Sequence, residues 1–132
     1  GIIMQWETVK ITSDRRGRTT PFASVGFGRL SLNSAACELI DDFDSYQYAE
    51  LLKGRDSDNK LCVGIRLLKE NSANSIKISK RIYKGEVTKS FTIDNKPIME
   101  ALFGISGVQQ KVTRYTVLKD KSANNILIII GI

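Results

Sequence analysis

The chain has 132 residues, 42% of them apolar and 26% charged, a balance that folds and excludes a disordered polyelectrolyte. Its 20 Lys and Arg against 14 Asp and Glu leave a net charge of +6 and a pI near 9.4, which favours an anionic partner, nucleic acid or a membrane surface. It has no histidine, which excludes Ser-His-Asp and Cys-His catalysis and most zinc chemistry, and two isolated cysteines cannot complete a structural zinc site.

Residues 9–13 alternate apolar and polar side chains as a half-buried strand does, and residues 22–32 continue the alternation after a polar, proline-containing connection. Gly26-Phe27-Gly28 lacks the third glycine and the following helix of a dinucleotide loop, so its glycines are read as relieving a crowded strand. Asn33 or Ser34 caps a short helix whose apolar positions Ala36, Leu39, Ile40 and Phe43 fall at helical spacing, with Asp41, Asp42 and Asp44 as its solvated end. Residues 46–53 and 61–68 are apolar-rich runs around a stretch of turn residues, which predicts a hairpin. Asp56-Ser57-Asp58-Asn59-Lys60-Leu61 begins like a calcium loop, but Lys60 and Leu61 break that pattern and leave a turn.

After a boundary at residues 71–74 the order returns: strands at 76–83 and 87–93, a helix at 96–103, then strands at 112–119 and 126–130. Pro97 is tolerated in the first helical turn and Gly104 suits the position just past the end. Residues 126–130 show no polar alternation, which predicts a strand covered on both faces.

The two passes also match in spelling. Thr8-Val9-Lys10-Ile11-Thr12 returns as Ser75-Ile76-Lys77-Ile78-Ser79, and Leu30-Ser31-Leu32-Asn33 as Phe91-Thr92-Ile93-Asp94. The run from Leu52 to Leu61 returns from Leu118 to Leu127. The expected fold is therefore α+β and β-rich, a tandem duplication of a strand-strand-helix-strand-strand unit. Residues 1–70 form one unit and 71–132 the other, packed as a pseudo-twofold barrel or pair of sheets around one core.

Charge follows the repeat. Lys10, Arg15, Arg16, Arg18 and Arg29 crowd the first hairpin of one unit, and Lys77, Lys80, Arg81, Lys84 and Lys89 that of the other, together half of the 20 cations. Basic hairpins paired in this way suit the phosphates of a duplex, and Arg15, Arg16, Arg18, Arg29, Lys80, Arg81, Lys84 and Lys89 are the candidate contacts. Phe22, Phe27, Tyr46, Tyr48, Tyr83 and Tyr115 lie on or near strands, where core packing is the commoner role and base stacking the alternative. No residue set marks a catalytic, metal or cofactor site.

The longest apolar run, at 126–130, is far short of the roughly 20 residues of a membrane helix. No charged-then-apolar leader opens the chain, and Gly1 reads as a cloning remnant before Met4. A soluble cytoplasmic protein without membrane contact is expected, with Cys37 and Cys62 as buried free thiols; a disulfide between them depends on a separation the sequence does not supply.

Gly28-Arg29-Leu30-Ser31-Leu32 followed by a capped helix and a hairpin resembles the AbrB/SpoVT-like swapped-hairpin DNA-binding family, in a form with two units fused in one chain. The resemblance implies a barrel that binds DNA through basic β-loops. Read in another phase, from Tyr46 to Phe103, the order is similar to the positive-cofactor-four and Whirly type of single-stranded-DNA-binding regulators. The expected function is a non-enzymatic DNA-binding transcriptional regulator, taking duplex in preference to single strands, as a single chain or a homodimer. The alternative is an accessory or interaction protein of a phage or mobile element.

Overall fold

Alternating side chains become strands here because a strand turns successive residues to opposite faces, and only one face can be buried in a single sheet. The computed structural model describes residues 6, 20–83 and 85–132, with the backbone alone at 81–83 and 86–89. In chain order the elements are β1 (Phe22–Gly26), β2 (Arg29–Leu32), α1 (Ser34–Cys37), a 3-10 turn (Phe43–Ser45), β3 (Tyr48–Arg55), β4 (Leu61–Leu68), β5 (Ile76–Lys77), β6 (Ser79–Tyr83), β7 (Glu86–Asp94), α2 (Lys96–Phe103), α3 (Ile105–Val108), β8 (Thr113–Lys119) and β9 (Ile126–Ile130). The strand expected at 9–13 lies outside the described residues.

Among the described residues nine strands join one antiparallel sheet in the order β5-β3-β4-β9-β8-β1-β2-β7-β6. Its two edges are neighbours in the chain: only Ile78 separates β5, which pairs with β3, from β6, which pairs with β7. One segment thus reaches both edges and curls the sheet into a nearly closed barrel. At the corner the Ile78 N–H donates to the Gln47 carbonyl at 3.0 Å, and its side chain is buried.

Inside lie Ala23, Val25, Leu30, Leu32, Ala49, Val63, Ile65, Leu67, Phe91, Ile93, Val117, Leu127 and Ile129, all buried; each large one stabilises the fold by about 1.5–3 kcal/mol. Ala36, Cys37, Ile40 and Phe43 seal this core from one connection, Met99 and Phe103 from another. Phe43 stacks on Phe91 with ring centroids 5.7 Å apart. The described residues before and after the expected boundary share this interior, since β4 pairs with β9, β2 with β7 and β1 with β8.

Three local expectations change. Residues 22–32 reverse at Phe27-Gly28 instead of running straight, and β1 pairs with β2 from Ala23↔Leu32 to Gly26↔Arg29. The helix after Asn33 ends at Cys37, and Phe43 belongs to a separate 3-10 turn entered through Asp42 at φ 61°, a left-handed residue that breaks helical continuity. In β9 only Leu127 and Ile129 are buried, while Ile126, Ile128 and Ile130 stay half-buried on the outer face. The β3–β4 hairpin and α2 form as read, with Pro97 in the first turn and Gly104 after the last. Among the described residues no helix is long and apolar enough to cross a membrane.

Two asparagines cap the helices that follow β2 and β7, with unequal duties. Asn95 Oδ1 accepts from the Ile98 N–H at 3.0 Å. Asn33 Oδ1 accepts from both Ala36 N–H (2.9 Å) and Phe22 N–H (3.1 Å), and its amide donates to the Thr20 carbonyl. Replacing Asn95 with Ala should cost about 1 kcal/mol. Replacing Asn33 with Ala should cost about 2 kcal/mol, because it also frees the start of β1; urea unfolding of the two variants checks the order.

Candidate nucleic-acid interface

Burial of alternate residues decides what the opposite face carries. Ala23 and Val25 point inward, so Ser24 points out, while Gly26 is buried at the strand end; Leu30 and Leu32 turn Arg29 and Ser31 outward, and Phe91 and Ile93 do the same for Thr92 and Asp94. The registers Ser79↔Thr92, Thr92↔Ser31, Ser31↔Ser24 and Ser24↔Arg114 then line four hydroxyl side chains across β6, β7, β2 and β1, ending at an arginine on β8. A parallel row one step away runs Asp94–Arg29–Gly26. The result is a flat floor of small polar side chains with cations at its border.

Of the two predicted contacts with described side chains, Arg29 and Lys80, Arg29 stands on this floor. Its Nε donates to Asp94 Oδ1 at 2.7 Å, with both side chains more than half exposed. Such a pair is worth about 0–1 kcal/mol, so a phosphate oxygen can replace the carboxylate at little cost. Arg114, absent from the expected set, lies over the Phe22 ring at 4.5 Å from its centroid, a cation–π contact that holds the guanidinium near β1.

The β1–β2 turn forms the rim. Phe27 and Gly28 lie at φ 57° and 74°, the positive values that a two-residue hairpin turn of type I′ requires at both central positions. Glycine accepts that geometry without strain; phenylalanine does not. The turn is held against the α3 segment by Phe27 N–H donating to the Gln109 carbonyl (2.9 Å) and Gly28 N–H donating to that of Gly107 (2.8 Å). A Cβ on Gly26 would run into the Lys111 carbonyl oxygen, so the strand end and the Lys111 backbone lie in contact. Phe27 itself is 61% exposed and the neighbouring Val112 is 50% exposed. Between them is an open cavity of about 340 Å³ lined by Ser24, Gly26, Phe27, Arg29, Ser31 and Val112.

The other predicted contacts divide. Lys80 turns inward from β6: its Nζ donates to the Asp44 carbonyl at 3.0 Å and lies over the Phe43 ring. Arg81 and Lys89 belong by their backbone to β6 and β7, the strands that carry Ser79 and Thr92, and their side chains are outside the described residues. Arg15, Arg16, Arg18 and Lys84 lie outside the described residues altogether. Of the strand aromatics, Tyr115 stacks on Phe103 and shares a 2.8 Å hydrogen bond with Ser106, and Tyr46 packs against the core.

The opposite side of the barrel has a different character. Leu52, Gly64, Ile128 and Leu118 are direct cross-strand neighbours over β3, β4, β9 and β8. With Ile126 and Ile130 they line an apolar groove of about 530 Å³. Cys62 borders that groove as a free, half-buried thiol, whereas Cys37 is fully buried. Burial pushes the Cys37 thiol up to about 12, reinforced by the Glu38 charge and opposed by Lys80, so it stays protonated and unreactive. Among the described residues no group of three or more Cys, Asp or Glu is placed to hold a metal ion.

No family model, curated protein or solved structure matches this chain.

The strained turn generates a prediction about stability. Asparagine occupies positive φ more readily than phenylalanine and is favoured before glycine in this turn type. Phe27→Asn should therefore raise stability by about 1 kcal/mol, read from the urea midpoint at unchanged slope.

Proposed function

We propose that this protein binds nucleic acid without catalysing a reaction, through the outer face of β6, β7, β2, β1 and β8. The observation that carries the reading is the row Ser79–Thr92–Ser31–Ser24–Arg114 with Arg29 beside it. Small hydroxyls let a polymer backbone approach the sheet closely and hydrogen-bond to it, while guanidinium groups pair with phosphate in a bidentate manner. The net charge of +6 supports the same partner. Within this reading Arg29 and Arg114 contact phosphates, and Lys80 supports the 3-10 turn through Asp44.

The pairing pattern also supports a duplicated chain, which we propose as the origin of this face. By place in the sheet, exchanging β1 with the β5–β6 segment, β2 with β7, β3 with β8 and β4 with β9 keeps the same neighbours around the barrel, although the repeated spelling matches residues 75–79 to 8–12, outside the described residues, and not to β1. Ser31 and Thr92, matched positions in the repeated spelling, pair with each other, flanked by Leu30↔Ile93 and Leu32↔Phe91. A pseudo-twofold axis then passes through the hydroxyl row, with Ser24 and Ser79 as its equivalent outer members. Regulation of transcription through a DNA site is the role such a non-enzymatic face suits.

Fluorescence anisotropy with oligonucleotides across a salt series tests the binding. Affinity should fall steeply with salt, and Arg29→Ala or Arg114→Ala should each lower the log–log slope by about 1. Absence of binding at low salt, or variants with the wild-type slope, would sink the reading.

The apolar groove favours a second reading, contact with another copy of the chain. Lys53 and Arg55, with Asp56 beside them, give its β3 end a net positive charge, and Asp120 lies at its β8 end, on the opposite corner because β3 and β8 run in opposite directions. The Ser122 N–H, then its hydroxyl, holds the Asp120 carboxyl below the usual range and therefore charged. A copy laid face to face about a diagonal twofold sets each basic corner against an acidic one. Analytical ultracentrifugation should show a dimer that Leu118→Glu dissociates; a wild-type monomer at all concentrations rejects it.

A further inference from the structure

We propose that Phe27 is a base-stacking platform, so that this face takes single-stranded nucleic acid with one unpaired base seated against Phe27 and Val112. The inference rests on the nucleic-acid reading and goes beyond it by naming the form of the polymer and the residue that selects it.

Three observations converge on this turn. The first is conformational: Phe27 occupies φ 57° in a turn where asparagine or glycine would be unstrained, and strain held at one position is characteristic of a binding element. The second is exposure: Phe27 is 61% exposed while Val25 and Leu30, the apolar residues around it on β1 and β2, are buried. Its ring therefore contributes little to the core that its hydrophobicity would otherwise serve. The third is rigidity. Two backbone hydrogen bonds to the Gln109 and Gly107 carbonyls, and the contact of Gly26 with the Lys111 backbone, leave the turn little freedom. An aromatic ring held out in this way loses almost no entropy when a ligand stacks on it.

The cavity beside the ring states the ligand chemistry. Its volume of about 340 Å³ lies at the lower end of small-ligand sites. Phe27 and Val112 supply apolar contact for a planar group, Ser24 and Ser31 supply hydroxyls for its polar edge, and Arg29 stands where an attached phosphate would lie. A planar heteroaromatic ring joined to a phosphate is one unit of a nucleic acid strand. In a duplex that ring is already stacked and paired, and drawing it out costs a few kcal/mol. In a single strand its face is free, and stacking on an aromatic side chain is worth a factor of about 5–150 in affinity per base.

The test compares wild type, Phe27→Asn, Phe27→Trp and Arg29→Ala on a single-stranded oligonucleotide carrying 2-aminopurine and on its duplex. Wild type should prefer the single strand and quench the 2-aminopurine fluorescence by stacking. Phe27→Asn, which suits the turn and stays folded by thermal melting, should lose about 5–150-fold on the single strand with no change on the duplex, and Phe27→Trp should retain affinity and quenching. Unchanged single-strand binding by Phe27→Asn, with Arg29→Ala weakening both forms, overturns the stacking role and leaves the phosphate-contact reading intact. No binding of either form by wild type overturns both.

Discussion

The passage of one segment from β5 through Ile78 into β6 is the constraint on which the molecule depends. A sheet with two free edges exposes unpaired N–H and C=O groups on both. Here the edges are neighbours in the chain, so pairing β5 with β3 and β6 with β7 draws them together. Curling the sheet in this way separates an inside from an outside. Every alternation along every strand then acquires a meaning it lacks in a flat sheet: one residue fills the barrel and the next is available for contact.

The outer surface that results is divided in character. Around the seam of β4 and β9 it is apolar, with Ile126, Ile128 and Ile130 projecting from a strand whose other residues are buried. Around the seam of β2 and β7 it carries hydroxyls and arginines. In the strand order these seams are separated by β8 and β1 on one side and by β3 with the β5–β6 segment on the other, so they lie across the barrel from each other. If the proposed polyanionic and apolar contacts both form, they do not compete for the same surface. A face-to-face dimer through the apolar side would leave two polar sides pointing outward, which suits bridging of two strand segments.

The β1–β2 turn shows how local chemistry serves a distant purpose. Gly26 lets β1 end against the Lys111 backbone, Gly28 accepts the second positive φ, and α3 supplies the carbonyls that receive both turn N–H groups. All of this would be equally well satisfied by an asparagine at 27. The phenylalanine is the one member that the turn itself does not require, and the stacking proposal rests on that asymmetry.

Period and capping were legible without a structure. The β3–β4 hairpin, the extent of β9, a cap at Asn33 or Ser34 and the limits of α2 between Pro97 and Gly104 follow from hydrophobic spacing and backbone preference, which are properties of neighbouring residues. The reversal at Phe27 was hidden, because alternation continues on both sides of a two-residue turn and phenylalanine is not a turn residue. Arg29 was legible as a cation beside a glycine; that it shares a floor with Arg114, and that Lys80 points the other way to Asp44, depends on pairing between residues far apart in the chain. Ser24, Ser31, Thr92 and Ser79 are unremarkable one at a time, and only strand register sets them in a row. What the amino-acid sequence determined by itself was therefore the strand and helix character of most elements and the alternation along them, since both arise from short-range periodicity. Which outward residues meet was decided by the tertiary structure, because closing the barrel through Ile78 sets the registers, and registers between distant strands are written in no single stretch of chain.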